Sequence, residues 1–433
     1  MDKHLFTELQ RRQKDILECL GGDIFILPSG VPTPRVGLFR QDSNFYYLTG
    51  FPETESLVVF DPNHDSENVA MFVKEKVRQD EVWHGFTIGV KKARETFTAD
   101  KVYNVTQLEA KLKDRLKGRT VYYKAVEKHP QETKLNKLLE GAEVKTEGAP
   151  FDKMRQMRVI KSEYELAQMR TAIDITGDGH HACMRTVNKH NFEYQLEAEF
   201  EYACKIRGVR QFAFGAIVAA GAHGTCQHYV ENTGPIGKND LVLIDSGASW
   251  NMYAADITRT FPASGKFTSV QRDLYEVVLA SQKAGVDAVA PGVKLHELHD
   301  LSAQVLIDGL KDLKILFGST EEIIEKNAYK DFWPGGLCHS LGLDTHDVTP
   351  PEYAGRDAEK GLEPGMVITV EPGFYSQDFN HQLPEELKHI GIRIEDDVLV
   401  TKGGHENLSS QIVKEVADVE AMVQSDIGEK HTD

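Results

Sequence analysis

The stretch LVLIDSGASWNMYAADITRTFP, Leu241 to Pro262, decides how this chain reads. It opens on an apolar strand pattern, LVLI, meets Asp245 before Ser246 and Gly247, and resumes as a second strand pattern, YAADITRTFP, with an acid inside it. Alternate side chains of a strand share a face, so Asp256, Thr258 and Thr260 point the same way. A carboxylate on a core-directed face is costly unless it is paired or bound to a metal. Asp245 has a second reading as a turn former that ends the strand before Gly247.

Three further segments carry the same kind of residue. His339 lies in GGLCHSLGLDTHD, Glu371 in MVITVEPGFY and Glu395 in GIRIEDDVLV. In the last of these, Arg393 and Glu395 share a strand face, while Ile392 and Ile394 take the other. Taken singly, each acid reads as a turn, a cap or an ion pair. Taken together, four carboxylates and one imidazole make a poor structural zinc site, which prefers thiolates and closes its shell. They make a good site for two hard or borderline divalent cations around a water, which points to hydrolysis. Cys338 directly precedes His339, but neighbours on a strand point to opposite faces, which argues against it as a ligand.

The rest of the chain bounds this reading. Its 433 residues allow two domains, and 40% hydrophobic content allows a sizeable core. A net charge of −17, from 67 acids and 50 bases, argues against a nucleic-acid partner, which needs a basic face. The five cysteines are odd in number, widely spaced and free of any CxxC, so the chain predicts a reducing, cytoplasmic setting. The N-terminal MDKHLFTELQRRQKDILECL reads as an amphipathic helix without a signal peptide's apolar run. No stretch approaches the roughly 20 apolar residues that span a bilayer.

Residues 1–155 alternate helical and strand patterns, with IFILPSG, SLVVFD, NVAMFV and TVYYKAV as strands and QLEAKLKDRL as a helix, and predict an α/β domain. A connector is expected near Arg155 to Lys161, followed by a long helix that SEYE opens as a capping box. Residues 156–433 then read as helices separated from strands. This predicts an α+β domain with a mainly antiparallel sheet, ending in a polar, frayed tail from about Gln424.

At this point the sequence resembles a family. The blocks around Asp245 and Asp256, His339, Glu371 and Glu395 are similar to the signature blocks of the pita-bread metallopeptidases, family M24. Within that family they are most similar to the aminopeptidase P and prolidase branch, and FRQDSNFYYLTGF resembles the matching N-terminal segment. The resemblance implies a pita-bread catalytic domain behind a smaller α/β domain, cleaving the bond between an N-terminal residue and a following proline. It implies that Asp256 and Glu395 bridge two metals, that Asp245 completes one, and that His339 and Glu371 complete the other. The metal so implied is manganese, with cobalt or zinc possible. The nucleophile is a bridging water, with Glu371 as the proton shuttle to the leaving nitrogen. His346 and His228 are implied as groups that hold the oxyanion and the substrate, with Arg393 and Thr258 supporting the ligands. A homodimer or homotetramer is implied as well, with Trp83 in a region that can lie near a neighbouring subunit.

One position departs from the pattern. Branch members commonly carry a His four residues before the metal His, and here that position is Gly335. Metal binding is expected to survive, whereas the hold on the substrate is in question unless His223 or Trp333 compensates. Two other readings stand beside the aminopeptidase. One is a prolidase restricted to dipeptides, against which the short connector from Val348 to Met366 argues; the other is a non-catalytic binding protein that keeps the fold.

Overall fold

The structure, a computed structural model, describes residues 2–32, 38–377 and 383–425. The chain divides into two compact units, Met1–Arg158 and Val159–Asp433.

The first unit is built on one mixed sheet. Strands β1 (Ile24–Pro28), β2 (Leu57–Phe60) and β3 (Val69–Val73) are apolar runs buried along their whole length, as central strands covered on both faces require. With β4 (Lys101–Asn104), β5 (Thr120–Tyr123) and β6 (Glu143–Lys145) they form the order β4-β3-β2-β1-β5-β6. The β1–β2 and β2–β3 pairs are antiparallel and the outer pairs parallel. The expected amphipathic helix spans Lys3–Cys19, with Asp2 capping the amides of His4 and Leu5. FRQDSNFYYLTGF holds a short helix, Ser43–Thr49, that Asp42 caps and Gly50 ends in the left-handed conformation.

The division between the units, at Arg158 and Val159, falls inside the expected Arg155 to Lys161 connector. A helix runs through Ala149–Val159, and the next, Glu163–Thr186, starts after a three-residue break. Ser162 and Glu165 form its capping box, with Ser162 N–H donating to the Glu165 carboxylate at 3.0 Å. Further helices span Glu193–Ile206, Ser269–Asp287 and Leu295–Asp312. The final described helix, Val416–Gln424, includes the first residue of the expected tail; from residue 426 that tail lies outside the described residues. The strands are β7 (Gln211–Phe212), β8 (Ile217–Ala220), β9 (Leu241–Ser246), β10 (Ala248–Trp250), β11 (Tyr253–Ala254), β12 (Ile257–Pro262), β13 (Val367–Val370), β14 (Gly373–Ser376), β15 (Ile390–Arg393), β16 (Asp396–Thr401) and β17 (Gly404–Asn407). All their pairings are antiparallel, in the orders β11-β10-β7, β12-β9-β8, β13-β16-β17 and β14-β15. Helices segregated from antiparallel strands make this unit α+β. Its core joins Phe200, Leu243, Phe261, Val278, Leu306, Ile368, Ile392 and Val398.

Three sequence segments that read as single strands are each broken in two. YAADITRTFP divides into β11 and β12 around Ala255–Asp256, MVITVEPGFY into β13 and β14 around Glu371–Pro372, and IRIEDDVLV into β15 and β16 around Ile394–Glu395. The last two breaks face each other. The β13–β16 register ends at Val370↔Asp396 and the β14–β15 register begins at Gly373↔Arg393, so the same register sets Glu371 opposite Glu395. Pro372 has no N–H to give, and Ile394 N–H reaches only its carbonyl, at 3.4 Å. The third break is made by close backbone approach. A Cβ at Gly247 would fall 1.7 Å from the Ala255 carbonyl oxygen, so only glycine allows the chain to turn there. Each break stops the ladder where a carboxylate is to project.

Candidate metal centre

Asp245 lies inside β9, not at its end: it pairs with Ile217 on β8 and with Thr258 on β12. The turn-former reading is thereby corrected. A carboxylate can sit inside this strand because a guanidinium meets it, Arg393 Nη2 donating to Asp245 Oδ2 at 2.6 Å. Arg393 is itself buried, and it also donates from Nε to Thr258 Oγ1 at 3.0 Å and from Nη1 to the Tyr375 hydroxyl at 2.8 Å. Thr258 Oγ1 in turn donates to Glu395 Oε2 at 2.7 Å. The other oxygen of Asp245, Oδ1, is buried and has no partner among the described residues.

Asp256, His339 and Glu395 each bring one donor atom into a group whose members lie within 4.8 Å of one another. His339 Nε2 is 3.3 Å from Asp256 Oδ2 and 3.5 Å from Glu371 Oε1. Asp256 is also held by its main chain, its N–H donating to Asp397 Oδ2 at 3.2 Å. All five sequence-predicted ligands line one cavity of about 700 Å³, together with His228, His346, Arg393 and Tyr375. The ring centroids of His346 and His339 are 4.2 Å apart. Thr258 does not face the cavity itself; it touches Glu395 and Arg393 behind it.

The electrostatics follow from packing acids together out of water. Burial, then the charges of Asp245, Asp397 and Glu371, push the Asp256 carboxyl far above its ordinary range. Burial and the Asp256 and Glu371 charges do the same to Glu395. Glu371 is pushed up to about 7 by burial, against the pull of His339 and Arg393. Burial and the neighbouring His339 and His228 lower His346. A set of acids this short of positive charge is what a divalent cation would relieve. The unpartnered Asp245 Oδ1 and the oxygen-rich donor set fit hard or borderline cations, and the imidazole fits the borderline ones.

Cys338 shares the cavity wall, but on irregular chain, so strand alternation is not what sets it apart. Its thiol is pushed far up by burial and by the Glu371 and Glu395 charges, and it does not belong to the group in which Asp256, His339 and Glu395 converge. His223 does not reach Gly335. Its Nδ1 meets Glu193 at 2.9 Å, and its ring stacks on Tyr229 with centroids 4.4 Å apart. Trp333 does reach it. So does Gln227, which the sequence reading passed over; its one signal was a place beside His228 in CQHYVEN.

Comparison with known proteins finds relatives along most of the chain. The profile of metallopeptidase family M24 matches residues 167–402, and that of the aminopeptidase P N-terminal domain matches residues 9–123. The Xaa-Pro aminopeptidase of Haemophilus influenzae is 38% identical over 386 residues, covering 89% of this chain and 88% of that one. The structure of Pseudomonas aeruginosa aminopeptidase PepP superposes with a TM-score of 0.92 at 35% identity, covering 98% of this chain and 99% of that one. Zinc-substituted Escherichia coli aminopeptidase P in complex with product gives 0.91 at 34% identity, covering 97% and 98%.

Proposed function

The chain belongs to metallopeptidase family M24, with the N-terminal domain of aminopeptidase P ahead of its peptidase domain, and on that premise we propose that it is a dinuclear-metal Xaa-Pro aminopeptidase. Family membership makes it a metallo-aminopeptidase. The proposed substrate is a peptide with proline second, from which the first residue is released. The observation that carries the reading is that four carboxylates and one imidazole line one cavity large enough for a short peptide, with Asp256, His339 and Glu395 converging in it.

In this reading Asp245, Asp256, His339, Glu371 and Glu395 would hold two cations; the oxygen-rich donors suit manganese without selecting it, and cobalt or zinc also fit. Bound there, the cations would supply Lewis acidity toward the scissile carbonyl and would acidify a water held at the site. Glu371 takes the proton that the water gives up and hands it to the proline nitrogen. That transfer is needed because a tertiary amide nitrogen leaves only once protonated. His346 offers an N–H to the oxygen on which negative charge develops, and His228 holds the substrate at the cavity mouth. Arg393 and Thr258 fix the orientation of Asp245 and Glu395 and touch no substrate.

Assembly into a homodimer or homotetramer is part of the proposal, supported by Trp83 and Phe86, which are 76% and 94% exposed on the first unit. No helix among the described residues is long and apolar enough to cross a membrane. The odd, widely spaced cysteines support a cytoplasmic setting.

The test is hydrolysis of an Xaa-Pro-Xaa tripeptide by chelator-stripped protein, before and after manganese is restored, beside an Xaa-Pro dipeptide and an Xaa-Ala-Xaa tripeptide. Manganese-dependent cleavage of the proline tripeptide, with the alanine tripeptide untouched, is the expected result. Cleavage of the dipeptide alone would move the assignment to a prolidase. Two bound metals without any cleavage would sink it.

A further inference from the structure

Gly335 leaves a notch in the cavity wall, and two polar side chains border it. A Cβ built on Gly335 would lie 3.3 Å from Gln227 Nε2, 3.6 Å from Gln227 Oε1 and 3.7 Å from Trp333 Nε1. The backbone of Gly335 has no positive φ, so its conformation does not demand glycine; what glycine provides here is room. Beside it, nothing lies within 4 Å of a Cβ built on Gly336.

We propose that Gln227 and Trp333 form a hydrogen-bonding subsite in this notch for a main-chain carbonyl of the bound peptide. The inference rests on the aminopeptidase reading and names how that site grips its substrate.

Trp333 is 1% exposed, with its ring packed on His299 at a centroid distance of 4.8 Å. Its indole Nε1 has no hydrogen-bond partner among the described residues and lies 3.7 Å from a Cβ built on Gly335, in a residue that lines the cavity. An indole N–H that borders a cavity is free to donate to an acceptor that enters it, and a bound peptide brings such acceptors. The Gln227 carboxamide likewise has no partner among the described residues, and it brings a donor of its own to the same spot. Its main chain is anchored: Gln227 O accepts from Arg393 Nη2 at 3.4 Å, the same nitrogen that binds Asp245. The subsite is thus tied through one guanidinium to the carboxylate cluster.

The ligand chemistry follows from the donors. Two neutral N–H groups bordering one notch suit the two lone pairs of one carbonyl oxygen. A peptide with proline second also lacks an N–H at that residue, so carbonyl oxygens are the main-chain handles it offers around the scissile bond. Neither donor titrates near neutral pH, so the grip does not change with pH there.

Gln227→Leu keeps the reach of the side chain and removes its polar end. Trp333→Phe keeps a packed ring and removes the N–H. Assayed as full chains reconstituted with manganese, each is expected to raise KM for an Xaa-Pro-Xaa tripeptide about tenfold, with metal content and Tm held. The double variant should lose at least the product of the two single losses, because it leaves the carbonyl with no donor from the notch. Gln227→Asn, with the amide retained on a shorter arm, should recover part of the loss. A third arm uses the space itself. Gly335→His alone should lower kcat/KM because its ring competes with the carboxamide for space, and adding Gln227→Ala, which vacates that space, should relieve part of that loss. Wild type that turns over the tripeptide while all these variants stay within twofold of it overturns the subsite alone. Wild type that binds two metals and cleaves nothing overturns the aminopeptidase reading, and the subsite with it.

Discussion

Glu395 and Asp396 are neighbours in the chain and opposites in their surroundings. Both are buried acids at the same strand break. Asp396 is saturated by the protein itself: Arg259 Nη2 donates to it at 2.7 Å, Gln282 Nε2 at 2.9 Å, Asn407 Nδ2 and Ser409 Oγ at 2.8 Å each, and Lys414 Nζ is in contact as well. Burial raises its pKa, yet Arg259 and Lys414 outweigh burial and hold the carboxyl well below its usual range. The Glu395 carboxylate accepts one hydrogen bond among the described residues, from Thr258, and burial with the Asp256 and Glu371 charges raises its pKa steeply. The structural acid is given its cations by the fold. The acid of the candidate site is left short of them, which is how a protein keeps a place for a cation from outside.

The sharpest way to break this contrast is to neutralise each residue in turn. Glu395→Gln should abolish most activity, on the order of 10³-fold or more, roughly 4 kcal/mol of barrier, by removing a cation ligand. Metal content per chain should fall with it, while the Tm measured in chelator should hold or rise, since a crowded buried acid has gone. Full activity with two metals bound would refute the ligand assignment. Asp396→Asn should do the reverse and lower stability by about 3–5 kcal/mol, because buried Arg259 and Lys414 lose their counter-charge. An unchanged denaturation midpoint would mean that the pair is not structural.

The same contrast has a pH signature in metal-free protein. Asp256, Glu371 and Glu395 all have folded pKa values above their unfolded ones, so the folded state holds protons that the unfolded state releases. Their stabilising contribution is complete below the unfolded pKa and is lost as pH rises through the folded values, about 7 for Glu371. Chelator-treated protein should therefore melt at a lower temperature at pH 8 than at pH 5.5. Manganese should raise Tm at pH 8 and shrink or reverse that gap, because it binds the deprotonated site. Asp396 acts with the opposite sign: its contribution is present above the unfolded carboxylate range and is lost only as pH falls through its depressed folded value. A flat Tm between pH 5.5 and 8 in chelator would remove the electrostatic distinction between the two neighbours.

What the sequence disclosed follows from how local each signal is. The buried strands of the first unit announced themselves as apolar runs, and Ser162 with Glu165 marked the start of a helix three residues apart. The residue types at 245, 256, 339, 371 and 395 suggested metal chemistry because so many acids in strand patterns are otherwise hard to explain. The strand breaks were hidden, because Ala255, Pro372 and Ile394 look like ordinary members of their runs until the facing chain is known. Asp245 read as a strand end because its compensating cation, Arg393, lies 148 residues away. Gln227 beside Gly335 and Arg259 beside Asp396 were hidden for the same reason: each pair is close only once the chain has folded.

The smallest effect tests how finely the contrast is drawn. Thr258 Oγ1 is the hinge between the acids and their support, accepting from Arg393 Nε at 3.0 Å and donating to Glu395 Oε2 at 2.7 Å. Thr258→Val keeps the shape and removes both bonds. Thr258 lies on a strand that pairs along its whole length, so the backbone has no reason to move. Glu395 would keep its position at the break while losing its fixed orientation, and Arg393 would keep Tyr375 and Asp245. The expected outcome is a 10–100-fold loss in metal affinity or in kcat/KM at limiting manganese, about 1.4–2.7 kcal/mol. Excess manganese should recover most of it if affinity is what was lost. A loss that excess metal leaves untouched would mean that Thr258 orients the acid for catalysis and not for binding. No loss at all would mean that the break at Glu395 alone is enough to aim its carboxylate.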